Sequence, residues 1–228
     1  MHQRPIHQRL PESFFRRDAV TVARALLGQR LVRQDRGKRT AGIIVETEAY
    51  LGTEDQAAHT ANGRRTPRNE SMWAAGGRAY VYFTYGMHHC MNVVAGRADE
   101  PVAVLIRALE PVEGIEIMRR RRIGRQSGIR KKTAGKRTGA GDTHLCSGPA
   151  KLCQALAIDR CLDGADLIEG PDLYLEMLRH RAYRSSDIRV GPRIGVDYAG
   201  PWAAKPLRFS LGDNIHVSKP HSRAKTAP

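Results

Sequence analysis

The sequence is short of the features that mark several common protein classes. It has no apolar run of the roughly eighteen residues that a membrane helix needs, and its opening, MHQRPIHQRL, lacks the apolar segment of a secretory signal. An intracellular protein with no membrane partner is therefore expected. The cysteines Cys90, Cys146, Cys153 and Cys161 form no CxxC pair and no zinc spacing, so free buried thiols are expected rather than a disulfide or metal framework. GxGxxG, GxxxxGK, GxSxG and HExxH are missing, as is the HxE and PCxxC pairing of zinc deaminases. Aromatic residues make up only 6% of the chain, which makes any cluster of them informative.

What the chain has in excess is positive charge. Lys and Arg number 38 against 23 acids, a net charge of +15 over 228 residues. Such a balance suggests a polyanionic partner. Residues 119 to 137, RRRRIGRQSGIRKKTAGKR, contain ten Lys or Arg and no acid, so most of the excess sits in one segment. That segment reads either as a phosphate-gripping arm or as a solvated, solubilising run. The length fits one domain. We expect a flexible N-terminus over 1–11, one domain over 12–212 with a basic, disordered loop inserted at 119–144, and a tail over 213–228.

Hydrophobic spacing predicts a helix over Phe14 to Leu27, closed by Gly28. RLVRQ and TAGIIVETEAY read as a hairpin joined by DRGK. Residues 51 to 78 hold too many polar residues, Gly and Pro for regular structure. AYVYFT and HCMNVV form a second hairpin around YGM, and VAVLIRALEP a buried strand. VEGIEIMRRRR is a short helix running into the basic segment. SGPAKLCQALAI is another, with Ser147 as N-cap and Pro149 in its first turn. DLYLEML and KPLRFSL complete the strands. Neighbouring hairpins without regularly alternating helices predict a mixed α/β (α+β) single domain, with a curved, mostly antiparallel sheet flanked by helices.

Alternation along IIVETEAY places Ile44, Glu46, Glu48 and Tyr50 on one face and Ile43, Val45, Thr47 and Ala49 on the other. Two carboxylates and a phenol thus share a side. They read as a solvated sheet edge or as a site on a rigid scaffold, and the long polar loop that follows, with Glu54, Asp55, His59, Arg64, Arg65 and Arg68, favours the second. Arg107 interrupts an apolar run, where a charge is costly unless paired. Either a salt bridge to Glu46 or Glu110, or a guanidinium aimed at a phosphate, would explain it. Tyr85 and Met87 flank a turn glycine and are poorly placed for a core, as exposed wedges between stacked bases would be.

Taken together, IVETEAYLG, DQAAH, RTPRN, YVYFTYGMHHCMN, LIRALEP, CSGPAKLCQAL and KPLRF, in this order, resemble the alkyladenine (3-methyladenine) DNA glycosylases of the mammalian type, also found in many bacteria. The resemblance implies an α+β domain with a protruding β-hairpin that excises damaged purines from double-stranded DNA, without cofactor or metal. It implies that Glu48 is the general base and that Tyr50, His59 and Tyr82 stack around the extruded base. Tyr85 and Met87 would fill the gap in the duplex, Asn92 would crowd the exocyclic amine of guanine, and Arg107 would contact a phosphate. Arg64, Arg65, Arg68 and Lys151 are the further DNA contacts expected. A monomer is expected, nucleoid-associated in a bacterium and nuclear in a eukaryote. His88 and His89 stand where relatives often carry aromatics.

Two other readings differ in class. One is a lesion-binding module without turnover. The other is a bifunctional glycosylase using a lysine Schiff base, for which Lys151 is the nearest amine.

Overall fold

The structure, a computed structural model, describes residues 8–124 and 142–219. Expectations for 1–7, 125–141 and 220–228 lie outside the described residues. The elements run α1 (Glu12–Phe15), α2 (Ala19–Leu26), β1 (Arg30–Asp35), β2 (Lys38–Tyr50), β3 (Ala79–Thr84), β4 (His88–Ala95), β5 (Val102–Glu113), α3 (Ile115–Gly124), α4 (Pro149–Leu156), β6 (Leu173–Glu176), β7 (Ile188–Gly191) and β8 (Arg208–Leu211). Short 3-10 turns fill the 51–78 loop at Gly52–Glu54, Ala61–Gly63 and Glu70–Trp73.

The eight strands make one sheet, ordered β3-β4-β5-β2-β1-β6, with β8 pairing both β2 and β7. The pairings between named strands are antiparallel. The fold is the expected single α+β domain with a curled sheet. β2 is long enough to serve β5 along one edge and β1 then β8 along the other. The register of β2 against β5 shifts between Ile44 and Glu46 and again between Glu46 and Thr47. Val45 is thus extra on one strand and Arg107 on the other. Bulges of this kind bend a strand and re-aim side chains.

They also correct the simple alternation. Ile44 joins Ala49 in the main core with Val81, Met91, Val93, Val104 and Ile106, against α2, α3 and α4. Glu46, Glu48 and Tyr50 belong to the other side. Thr47 on the core side donates its hydroxyl to the Ala23 carbonyl of α2 (3.0 Å), which satisfies a polar group that would otherwise be costly to bury.

Five further expectations are revised. The helix over Phe14 to Leu27 is two helices, because the Asp18 carboxylate accepts from Thr21 N (2.9 Å) and caps a fresh start. Ser147 does not cap α4; Gly148 is the N-cap with no side-chain bond, Pro149 sits at the first position as expected, and Ser147 Oγ lies 3.5 Å from Lys151 Nζ. The start of the basic run is ordered: α3 extends to Gly124, Arg119 pairs with Asp142 and Glu116, Arg121 with Asp35, and Arg122 with Gln154. Cys161 is exposed, whereas Cys90, Cys146 and Cys153 are buried as expected and all four are free. Residues beyond 212 also engage the sheet, since Asn214 donates to Glu110 (2.9 Å) and Ser218 N to Glu46 (2.7 Å).

The caps give a stability test. Asp18→Ala should lower unfolding free energy by about 1 kcal/mol, whereas Ser147→Ala should change it by less than about 0.5 kcal/mol. Urea unfolding of both variants measures this, and equal losses would contradict the assignment of the caps.

Candidate active site

The register lines up one row of residues across five strands. Tyr80 pairs with Asn92, Asn92 with Leu105, Leu105 with Glu48, and Glu48 with Arg208. Directly opposed residues share a sheet face, so a phenol, an amide, an apolar spacer, a carboxylate and a guanidinium follow each other on the side away from the main core. Two residues further along β2 comes Tyr50, and two along β3 comes Tyr82.

Glu48 is 0% exposed, so the solvated-edge reading of the ETE stretch is wrong. Its Oε1 accepts from Ile194 N (2.8 Å) and faces Arg107 Nη1 (3.1 Å), and its Oε2 accepts from Tyr50 OH (3.0 Å). A carboxylate has about four accepting positions, and these donors occupy three. Burial raises the Glu48 carboxyl above the ordinary glutamate value, opposed by Arg107, the Ile194 N–H and the Tyr50 hydroxyl. Tyr50 is itself pushed well up, first by burial and then by the Glu48 charge, so it stays a donor. The Tyr50 ring lies 4.7 Å from the Arg193 guanidinium. Arg193 is clamped by Asp55, with its Nη2 2.8 Å from Oδ1, and Nη1 also donates to the Ala49 carbonyl (3.0 Å).

Arg107 is 6% exposed, and its nitrogens meet three partners. Nε donates to Glu46 Oε1 (3.1 Å), Nη1 faces Glu48, and Nη2 donates to Ser218 Oγ (3.3 Å). The salt bridge to Glu46 expected from sequence is present, that to Glu110 is not, and Glu48 takes its place. An implied phosphate contact does not fit a guanidinium enclosed in this way.

Tyr50, His59, Tyr82 and Asn92 do come together: with Ala57, Met72, Tyr80 and Tyr198 they line a cavity of about 50 Å³. His59 meets Tyr82 edge to face (4.6 Å between ring centres), and its Nδ1 lies 2.7 Å from Tyr80 OH. Tyr80 stacks on Tyr82 (5.4 Å) and holds Asn92 through its carbonyl, which accepts from Asn92 Nδ2 (3.2 Å). Burial, then Arg68 and Arg64, holds His59 down to about 4. Burial raises Tyr80 and Tyr82. Near neutral pH the walls are therefore neutral and rich in π faces. Among the described residues no lysine lines this cavity, and Lys151 sits on α4 beside Ser147.

A second chamber of about 410 Å³ shares His59, Tyr80 and Tyr198 with the first and includes Arg64 and Arg68. Arg68 donates to the Phe83 carbonyl (3.1 Å). Arg65 stands apart, because Glu70 and Asp99 meet its charge and its guanidinium lies over Trp73 (4.9 Å). Beyond Tyr82 the hairpin projects. Met87 N donates to the Thr84 carbonyl (3.2 Å), and the two residues between, Tyr85 and Gly86, have φ of 51° and 66°. Two successive positive φ values mark a type I′ turn. The left-handed conformation at a tyrosine is uncommon and strained. It leaves Tyr85 82% and Met87 61% exposed.

The sequence reading missed Arg193, Arg208, Tyr80 and Tyr198 as parts of the site. For Tyr80 a signal existed: a connection of Tyr85, Gly86 and Met87, centred on Gly86, fixes the register in which 80 opposes 92. The others come from distant segments and carry no local pattern.

Comparison with known proteins accords with this geometry. The methylpurine-DNA glycosylase family model matches residues 13–215. The DNA-3-methyladenine glycosylase of Mus musculus is 50% identical over 214 residues, covering 92% of this chain and 61% of the mouse protein. The human DNA-3-methyladenine glycosylase is 48% identical over 211 residues, covering 92% of this chain and 68% of its own length. A relative from Desulfitobacterium hafniense is 44% identical over 211 residues, covering 92% of this chain and 98% of the bacterial protein. The chain thus spans under two thirds of the mouse relative yet nearly all of the bacterial one. A family match over residues 13–215, on a fold that assembles an enclosed carboxylate beside a tyrosine-walled cavity, has one consequence: this chain belongs to the methylpurine-DNA glycosylase family.

Proposed function

We propose that the protein is a monofunctional DNA glycosylase that turns alkylated purines out of duplex DNA and hydrolyses the bond between base and sugar, leaving an abasic site. The observation that carries this reading is the hydrogen bond from Tyr50 to Glu48. It joins a buried carboxylate to the wall of an aromatic cavity. The names of the mouse and human relatives support the same activity.

A glycosidic bond inside a duplex is out of reach, so the nucleotide must rotate out at a cost of a few kcal/mol. Stacking on an aromatic face returns about 1 to 3 kcal/mol per base, which Tyr50, His59 and Tyr82 supply inside while Tyr85 and Met87 fill the vacated stack. A purine alkylated on a ring nitrogen is cationic. Neutral, π-rich walls attract it, and a protonated His59 would repel it, which burial near Arg64 and Arg68 prevents. Asn92, fixed by the Tyr80 carbonyl, would crowd the exocyclic amine of guanine.

In the chemical step a water held on Glu48 attacks C1′ of the deoxyribose. Its proton passes to Glu48, and the electrons of the broken bond stay with the departing base, which leaves neutral. General-base assistance of this kind contributes about a hundred- to ten-thousand-fold. Hypoxanthine and ethenoadenine carry no such charge and need a proton from elsewhere; His59 and the phenols, all held neutral, are poor sources. We therefore expect these lesions to be cut more slowly than 3-methyladenine. Arg64 and Arg68 are the arginines that would reach the backbone of the target strand, with Arg65 already neutralised. Among the described residues no lysine lines the cavity, which disfavours a Schiff-base route.

Two measurements test this. Duplex DNA carrying one 3-methyladenine should yield free base and alkali-labile sites, and Glu48→Gln should lower single-turnover excision by at least about a hundredfold while DNA binding survives. Retained cleavage in that variant would remove Glu48 from the reaction. Because Glu48 must be ionised to accept a proton, the rate on this cationic lesion should fall on the acid side with a midpoint above 4.5, the ordinary glutamate value. A rate still flat at that pH would contradict the assignment.

A further inference from the structure

Glu46 has no part in the scheme above, yet it is a buried carboxylate beside the site that accepts from two arginines and a backbone amide. It is 0% exposed, and its Oε1 accepts from both Arg107 Nε (3.1 Å) and Arg208 Nη1 (3.0 Å), while Oε2 accepts from Ser218 N (2.7 Å). Arg208 is fixed in turn, donating to the Pro192 carbonyl (3.0 Å) and the Lys219 carbonyl (2.9 Å). A guanidinium is a rigid planar fork. Once Glu46 holds Nε of Arg107 and Ser218 Oγ holds Nη2, the direction of Nη1 is fixed, and it points at Glu48.

Resting on the function proposed above, we propose that Glu46 is a positioning residue for the reaction: it aims Arg107 at Glu48 and takes a share of the guanidinium charge, so that Glu48 is oriented without being spent in a full ion pair. Burying a second carboxylate is expensive, and a scaffold needing only to neutralise Arg107 already has Glu48. What Glu46 adds is division of the charge. Glu48 alone opposite Arg107 would be a tightly paired anion and a weak base. Sharing Arg107 leaves it stronger, and Arg208 keeps Glu46 from drawing Arg107 away.

The groups facing Glu48 from the surrounding elements are Glu46 and Tyr50 on β2, Arg107 on β5, Arg208 opposite it on β8, the Ile194 N–H, Arg193, Cys90 on β4 and Tyr82 on β3. Among them Arg107 is the group that contacts both carboxylates, and Arg208 is the further cation on Glu46. Two substitutions should therefore act in opposite directions. Removing the charge of Glu46 gives Arg107 wholly to Glu48. Removing Arg208 makes Glu46 compete harder for Arg107.

The test is the acid limb of single-turnover excision on duplex DNA carrying 3-methyladenine. Glu46→Gln should move its midpoint down by about one pH unit and lower the plateau, whereas Arg208→Gln should move the midpoint up by a similar amount. A packing role would weaken folding in both without opposite shifts, and Arg208→Gln keeps the test available if Glu46→Gln fails to fold. Unmoved midpoints, with Glu48→Gln still inactive, overturn the role of Glu46 and leave the proposed function intact. A wild-type rate without any acid limb overturns both.

Discussion

Four buried charges in contact, Glu46 and Glu48 against Arg107 and Arg208, are the constraint around which the site is built. Each would cost several kcal/mol to remove from water alone. Together they tolerate burial because the remaining acceptors and donors are met by the Ile194 and Ser218 backbone amides, the Tyr50 hydroxyl and the carbonyls of Pro192 and Lys219. That requirement draws segments from far apart in the chain onto one face of the sheet. β8 must pair with the end of β2, and the 214–219 stretch must lie across the network. The two bulges fall within this network, at Val45 and at Arg107 itself, where they re-aim the side chains around Glu46.

The consequences spread from there into the cavity. Tyr50 is tied to Glu48 at its hydroxyl and lies against Arg193 at its ring, so the carboxylate and the stacking wall move as one unit. Tyr80 ties His59 on one side and Asn92 on the other. A site of this kind is held within tight limits by its supporting bonds rather than by the flexibility of single side chains. The hairpin is the contrasting element: Tyr85 and Met87 project into solvent on a strained turn, as suits groups meant to meet an external surface.

Much of this was legible in the sequence, and for identifiable reasons. Alternation along β2 correctly put Glu46, Glu48 and Tyr50 together, and the turn at Tyr85 and Gly86 gave the hairpin and its exposed tip. Both are local patterns with a period of two or a single turn residue. Ile44 went to the wrong face because a bulge is invisible to a rule of strict alternation. Arg193 and Arg208 could not be placed because their partners are more than a hundred residues away, joined by charge and not by spacing. The helix of VEGIEIMRRRR is legible in the sequence, but the partners that hold its arginines are not. Asp35, Glu116 and Asp142, distant or one turn away, supply the acids that the run at 119–124 lacks.

The most direct test is a crystal structure of the protein with duplex DNA in which a cationic pyrrolidine replaces the damaged nucleotide, mimicking the charged sugar of the transition state. The account predicts a water between Glu48 Oε2 and the ring, with both contacts at about 2.6 to 3.2 Å, and Tyr85 in the vacated stack. A nucleotide lying outside the tyrosine cavity, or a ring approached by some group other than Glu48, would contradict it.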